Sequence, residues 1–387
     1  MKTFGYGLIG SGFMGKCHTH GMANVMRAFA PPLEPRFELL ADIDAVSAAK
    51  AAKSLGFARS TGDWRGLIAD PAVDAISITT PNTLHKPMAL AAIAAGKAVW
   101  CEKPLAGTPA DAKEMADAAK KAGVVTIVGF SYLRNPLLGL AREIVSSGEI
   151  GEPINFRGLH LADYMASPTT PWSFRLDPAG GHGALGDIGS HIVSLARYMM
   201  GEIEEVSGQL STVVKRRPVA VGAAGPFDAA DASKATATRA VEVDDQAQAL
   251  LRFANGAIGT IQTSWVAMGR NLKLAFELNG SKGTICLDFE RMNELRLYAA
   301  GQPKGRAGFK TIFSGPAHPN YQGFIPAAGH HIGFNDLKTI EAKTLIEAMA
   351  GGPAAWPDFT DAWRIVQVVE AIAASAREQR WVRAAEM

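Results

Sequence analysis

The stretch FGYGLIGSGFMG (Phe4–Gly15) decides how the rest of the chain is read. An apolar run ending at Ile9 and a helical pattern opening at Gly12 bracket Gly10-Ser11-Gly12-Phe13-Met14-Gly15, a match to G-x-G-x-x-G in the strand–turn–helix setting its chemistry requires. Gly10 permits the tight turn, Gly12 lets the main chain approach a pyrophosphate, and Gly15 lets helix and strand pack closely. The helix start offers free N–H groups and a positive dipole end to phosphates, and Ser11, Phe13 and Met14 share that turn. Glycine makes up 40 of 387 residues, so the pattern alone is weak. Its support is Asp42, an acid at the end of the second apolar run, placed to accept from ribose hydroxyls.

No Arg or Lys follows Asp42 in Ile43-Asp44-Ala45-Val46-Ser47, whereas a 2′-phosphate needs a nearby cation and is repelled by carboxylates. NAD is therefore expected rather than NADP. Asp44 reads as a helix-start residue or a second ribose ligand. Lys16 and His18, in the first turns of the glycine-led helix, are either ligand contacts or ordinary solvated and packed side chains.

Short apolar runs alternate with helical patterns from Met1 to about Val128: FELLADI, VDAISITT, AVWCEKP and VVTIVGF follow the first. Serial strand–helix alternation implies a parallel sheet covered on both faces, with ligands at the carboxyl ends of its strands. Those ends fall at Gly10, Asp42, Pro81 and Lys103. Beyond Gly129 the pattern changes. A helix near Pro136–Ser147 precedes a Gly/Pro/aromatic loop through Gly183, another helix spans about Gly186–Met200, and strands are expected at about Gln246–Phe253, Gly256–Trp265, Leu272–Asn279, Gly283–Asp288 and Glu294–Ala299. Leu272, Leu274, Phe276 and Leu278 alternate with Lys273, Ala275, Glu277 and Asn279, a period of two that fits a sheet covered on one side. Asn255-Gly256 marks a hairpin. Gly301–Gly333 reads as a long loop, Ala220–Ala240 as the one biased run, and helices near Asp336–Met349 and Phe359–Arg377 close the chain. The fold class is α/β: a Rossmann dinucleotide-binding domain over 1–128, then an α+β domain over 129–387 with an open, mostly antiparallel sheet. Its closing helices are free to pack back on the first domain.

Lys and Arg number 39 against 37 Asp and Glu, giving +2 in a chain that is 20% charged and 48% hydrophobic. That balance disfavours disorder and a dedicated nucleic-acid surface. Cys17, Cys101 and Cys286 make neither a C-x-x-C pair nor a disulfide framework. With no signal-like apolar stretch after the opening residues and no run long enough for a membrane span, a reducing, cytoplasmic setting is expected.

Cys101-Glu102-Lys103-Pro104 directly follows the strand AVW, and Lys103, as a residue before proline, is held out of helical angles, which fixes where its ammonium points. Thr80-Pro81-Asn82 ends the neighbouring strand. In Gly186-Asp187-Ile188-Gly189-Ser190-His191, Asp187 and His191 stand at i and i+4 on one helix face, beside the apolar stripe of Ile188, Ile192, Leu195 and Met199. A core-edge histidine with a capping acid gives the same pattern. No convincing third ligand supports a metal there.

Taken in order, the glycine turn, Thr79–His85 (TTPNTLH), Cys101–Ala106 (CEKPLA) and Gly186–His191 (GDIGSH) resemble the Gfo/Idh/MocA family, named for glucose-fructose oxidoreductase, inositol dehydrogenase and rhizopine catabolism. The resemblance covers nearly the whole chain. It implies that Lys103, Asp187 and His191 are catalytic, that Gly10, Gly12, Gly15, Asp42, Pro81, Asn82, His85 and Glu102 surround the cofactor, and that the outer face of the second sheet packs against other subunits as a homodimer or homotetramer. The expected reaction moves a hydride between a secondary hydroxyl of a sugar, anhydrosugar or inositol and the nicotinamide. His191 takes the hydroxyl proton and Lys103 stabilises the alkoxide, although either could be the proximal base. Tyr132, Arg134, His160, Trp172 and Arg175 are the expected sugar contacts, with Asn135, Asp163, His182, His330, His331 and Asn335 as further candidates; Arg175 could instead pair with Asp177. An NAD-dependent glycosidase of the same family, an NAD-sensing regulator and a reductase of phosphate-bearing sugars are the rival readings.

Overall fold

The computed structural model describes residues 2–219 and 237–387, so residues 220–236 of the Ala-rich run lie outside the description. The chain forms two compact units: Met1–Asn135 with Asn320–Arg364, and Pro136–Pro319 with Ile365–Met387.

The first unit holds β1 (Lys2–Ile9), α1 (Phe13–Phe29), β2 (Leu33–Ala41), α2 (Ala45–Leu55), β3 (Arg59–Thr61), α3 (Trp64–Ala69), β4 (Ala75–Ile78), α4 (His85–Ala94), β5 (Ala98–Cys101), α5 (Pro109–Ala122) and β6 (Thr126–Val128). The strands lie in the order β3-β2-β1-β4-β5-β6, all parallel. The strand order reverses between β1 and β4, so their carboxyl ends open a crevice where ligands bind in such sheets. Tyr6, Leu8, Ile76 and Val99 are fully buried, as strands covered on both faces require.

Asn320–Arg364, which the linear division assigns to the second domain, belongs to this unit. Its helix α8 (Phe334–Met349) adds Ala342, Leu345 and Ile346 to the core formed by Met22, Val25 and Trp100. A side chain at Gly21 of α1 would stand 2.6 Å from the Lys338 carbonyl oxygen, so glycine is what lets the two helices approach.

The second unit contains α6 (Pro136–Ser146), β7 (Pro153–Leu161), α7 (Ser190–Met200), β8 (Ile203–Ser211), β9 (Arg216–Pro218), β10 (Thr238–Ala240), β11 (Gln246–Phe253), β12 (Ile258–Ser264), β13 (Lys273–Gly280), β14 (Gly283–Asp288), β15 (Glu294–Ala299) and β16 (Lys310–Phe313). Helix α9 (Phe359–Glu378) begins in the first unit and continues into the second, ahead of β17 (Val382–Arg383). Nine strands lie in the order β16-β15-β14-β13-β7-β12-β11-β8-β17, antiparallel except for β7 beside β12. The expected open, mostly antiparallel sheet is present.

Two parts of it correct the sequence reading. β7 lies at the sheet centre inside what reads as a loop; its inward row is Phe156, Gly158 and His160, and a glycine and a histidine hide the period of two. β16 likewise interrupts the Gly301–Gly333 segment, with mostly exposed residues that leave no hydrophobic signature. The Asn255-Gly256 hairpin is as read, with Gly256 at φ +85° joining β11 to β12.

Candidate active site

The three glycines of the first turn separate by their surroundings. Gly10 takes φ +92°, and a Cβ on Gly15 would lie 2.2 Å from the Gly10 carbonyl oxygen. A Cβ on Gly12 would meet nothing within 4 Å. The fold itself thus requires Gly10 and Gly15, while Gly12 faces open space at the N-terminus of α1, the place where a pyrophosphate is held in such turns. Gly15→Ala is therefore expected to lower thermal stability by an overpacking cost of about 1–3 kcal/mol. Gly12→Ala should leave the melting temperature unchanged and weaken NADH binding, which fluorescence titration measures; equal NADH affinity in wild type and Gly12→Ala contradicts the assignment.

Asp42 follows β2 and accepts from the Ser11 N–H (3.0 Å), the Ser11 hydroxyl and the Ile43 N–H (2.7 Å). These bonds fix the carboxylate beside the turn and leave a lone pair on Oδ1 for a further donor. Ile43 and Val46, 88% and 80% exposed, flank it where a 2′-phosphate would need a cation. Asp44 caps α2, its Oδ1 accepting from the Ser47 N–H at 2.8 Å, and those bonds hold its carboxyl below the usual range. Thr79 bonds the Gly10 carbonyl oxygen through Oγ1 (2.7 Å), tying the ends of β1 and β4 together. The residues present fit a dinucleotide, with an open glycine at a helix start and an acid on the next strand.

Pro81 and Asn82 lead a short turn into α4. His85, buried at its start, has Nδ1 2.9 Å from the Pro104 carbonyl oxygen and Nε2 2.9 Å from that of Thr80, and so links the loops after β4 and β5. Burial pushes its pKa down against the pull of both carbonyls.

Glu102 is the hub of a buried network. Its Oε1 accepts from Lys338 Nζ (2.7 Å) and faces His18 Nε2 (2.9 Å), while Oε2 accepts the main-chain N–H of Lys103 (3.1 Å). Lys338 also donates to Glu341 (2.8 Å); His18 stacks on Trp100 with centroids 3.8 Å apart and meets Ser77 Oγ through Nδ1 (3.0 Å), to which Tyr6 donates (2.7 Å). With His18 neutral, Tyr6 O–H to Ser77, Ser77 O–H to Nδ1 and Nε2–H to Glu102 form a consistent chain, while Lys338 Nζ lies 3.1 Å from the same Nε2. Burial and then the Lys338 ammonium push His18 down to about 4, although Glu102 pulls the other way. Burial alone would raise the Glu102 carboxyl, but Lys338 and the His18 bond outweigh it and hold it well below the usual carboxylate range. Burial raises Glu341 against the opposing pull of Lys338 and Arg134.

The sign of the His18 contribution follows. An unfolded histidine takes up its proton near 6.5 and folded His18 only near 4, so stability is full above pH 6.5 and falls as pH drops between those values. The expected loss is about 3 kcal/mol, from 1.36 kcal/mol per pKa unit. Glu102 adds loss of the same sign at lower pH; Glu341 opposes it. Urea unfolding of wild type and His18→Gln across that window isolates the His18 share, and parallel curves would show that the histidine contributes none.

In the second unit, Leu185–Gly189 form a π-helical turn running into α7. Asp187 Oδ2 accepts from the Tyr164 hydroxyl (2.8 Å) and Arg175 Nε (3.1 Å). Arg175 therefore pairs with Asp187 rather than Asp177, which instead caps the turn at Pro178–Gly180 through the Ala179 N–H (3.0 Å). His191, buried on the next turn, lies with its ring 5.5 Å from that of His160. Asp244 accepts from the Gly183 N–H (2.9 Å) and Leu185 N–H (2.8 Å), anchoring the start of the turn; burial pushes its carboxyl up against these bonds.

The other expected contacts fall in both units. Tyr132 packs on Phe334 (5.8 Å), which also stacks with Phe13 (6.4 Å), and Arg134 donates to the Trp356 carbonyl. Arg239 lies over the Trp172 ring at 3.6 Å, and His182 meets Glu370 at 2.8 Å. Asn135 is buried, whereas His330 and His331 are exposed. Tyr164, Asp244, Lys338 and Glu341 escape the sequence reading. Tyr164 follows the unrecognised β7, and an isolated lysine or acid in an amphipathic helix or strand start reads as surface. Among the described residues, no three His, Cys, Asp or Glu stand together as a metal site, and no helix is long and apolar enough to cross a membrane.

A parallel sheet with a dinucleotide cradle, followed by an α+β unit presenting a bonded carboxylate and an imidazole on successive turns, defines a nicotinamide-dependent oxidoreductase. The chain belongs to the Gfo/Idh/MocA family: residues 4–130 match the oxidoreductase family's NAD-binding Rossmann fold, and residues 139–286 match the GFO/IDH/MocA C-terminal domain. It is 40% identical over 387 residues to levoglucosan dehydrogenase of Pseudarthrobacter phenanthrenivorans, covering 99% of this chain and 98% of that protein. It is 32% identical over 231 residues to 1,5-anhydro-D-fructose reductase of Ensifer adhaerens, covering 59% of this chain and 61% of that one. A solved levoglucosan dehydrogenase in complex with NADH and levoglucosan superposes with a TM-score of 0.93 at 38% identity, covering 99% of this chain and 100% of that one.

Proposed function

We propose that the protein oxidises a secondary hydroxyl of an anhydrosugar, or of a related sugar or cyclitol, with NAD, using Lys103, Asp187 and His191. The observation that carries this is the second-unit cluster: a carboxylate fixed by a tyrosine and an arginine, with a buried imidazole one turn away, in a chain similar end to end to levoglucosan dehydrogenase. Gly10, Ser11, Gly12, Phe13, Met14, Gly15, Asp42, Thr80, Pro81, Asn82, His85 and Glu102 form the cofactor set. Bound NAD supplies a hydride acceptor.

The chain's own residues handle the proton and the charge. His191 takes the hydroxyl proton as general base, and the Lys103 ammonium stabilises the oxygen as negative charge develops. Asp187, held by Tyr164 and Arg175, accepts from a neighbouring hydroxyl and orients the ring. Tyr132, Arg134 and Trp172 complete the sugar set.

We place the enzyme in the cytoplasm, in keeping with its free cysteines, and as a homodimer or homotetramer through the outer face of the nine-stranded sheet. That face carries a cleft of about 1080 Å³, lined by Gln209, Gln248, Gln262, Arg157 and Glu277 among others. The activity test is a panel of anhydrosugars, hexoses, inositols and sugar acids with NAD and NADP separately, followed by NADH absorbance. Net NADH from a free anhydrosugar with NAD is the expected result. Glycoside cleavage without net NADH, or no turnover anywhere, would overturn the reading.

A further inference from the structure

The π-helical turn Leu185–Gly189 is a departure from the α-helix it leads into, and such departures persist where surrounding groups hold the helix ladder out of register. Two groups do so here. Asp244 takes the Gly183 and Leu185 N–H groups at the entrance. At the exit, His160 Nδ1 lies 2.6 Å from the Ile188 carbonyl oxygen, with the imidazole 2% exposed. A carbonyl only accepts, so Nδ1 carries the proton.

Strand β7 brings the imidazole there. Phe156, Gly158 and His160 form its inward row, and a Cβ on Gly158 would lie 2.5 Å from Ile192, so the glycine lets α7 rest close on the strand. One step along that row, His160 meets the residue between Asp187 and His191, its ring tilted 57° against that of His191. Because a π turn is wound more widely than an α turn, its persistence sets the angle between Asp187 and His191. A relaxed helix would rotate one of them away.

We propose that His160 is a positioning residue: through the Ile188 carbonyl it holds the π turn that sets Asp187 and His191 relative to one another. This assigns it a task other than the direct sugar contact expected from sequence, and it rests on the functional reading above.

Two substitutions in the full chain separate the alternatives. Asparagine places an amide N–H where Nδ1 stands, whereas leucine removes the donor. His160→Leu is expected to lower kcat by about 10- to 100-fold, the scale on which small misplacements of reacting groups act. Sugar KM and NADH affinity should stay within about threefold, the split that marks lost transition-state geometry rather than lost binding. His160→Asn should recover most of that loss. ¹⁵N-histidine NMR of the wild-type chain should show His160 protonated at Nδ1, a readout independent of turnover.

Unchanged kcat in His160→Leu, a loss confined to KM, or His160→Asn as impaired as His160→Leu would overturn the proposal. So would an unprotonated Nδ1, which decides the matter if the leucine variant does not fold. A wild-type chain with no sugar turnover but with the Nδ1 signal would instead sink the functional reading and leave the bond standing.

Discussion

His191→Ala is expected to lower kcat by about 10²- to 10⁴-fold, the range that a positioned general base supplies, while NADH still binds. The ring stands in the second unit, one turn past Asp187, and is absent from the glycine cradle, so its loss should spare the cofactor. It is buried against His160, and a buried imidazole that accepts a proton needs a compensating group. Asp187 supplies one in the proposed mechanism, fixed by Tyr164 and Arg175 so that it holds its place as charge develops. Stopped-flow turnover, NADH titration and a melting curve on one preparation check the claim. Near-normal turnover in a folded variant refutes the base assignment, and partial recovery with added imidazole strengthens it.

The first half of this fold is legible because its signals are local. Glycines at Gly10 and Gly15 mark places where a side chain has no room or φ is positive, and the apolar runs of β4 and β5 are strands buried along their whole length. The second half is less so. β7 carries Gly158 and His160 on its inward row because a helix must come close and a carbonyl must be bonded, and both needs erase the alternation that betrays a strand. Lys338 shows the same limit. A lysine in an amphipathic helix reads as solvated, and its bonds to Glu341 and to Glu102, the latter from a distant part of the chain, explain why it is fully buried. Asp187 and His191 are legible as a pair from their spacing, but the π turn that carries them and the arginine that holds Asp187 depend on contacts no spacing encodes.

Lys103→Met is expected to lower kcat by about 10²- to 10³-fold, the cost of removing one preorganised group aimed at a developing oxyanion. Its support is the rigidity of its surroundings. Glu102 takes the Lys103 N–H, and its carboxylate is itself held by Lys338 and faces His18, with Gly129 leaving no space for a side chain beside it. Lys103 thus leaves the end of β5 on a clamped main chain. Arginine keeps the charge but places it on a longer, planar fork, so Lys103→Arg should recover little. The double variant with His191→Ala decides whether the two groups serve one proton transfer. If they do, its kcat lies near that of the poorer single variant, because residues acting as a unit are far from additive. If the two losses multiply in full, the lysine and the histidine act independently, and the shared-hydroxyl mechanism fails while each separate effect stands.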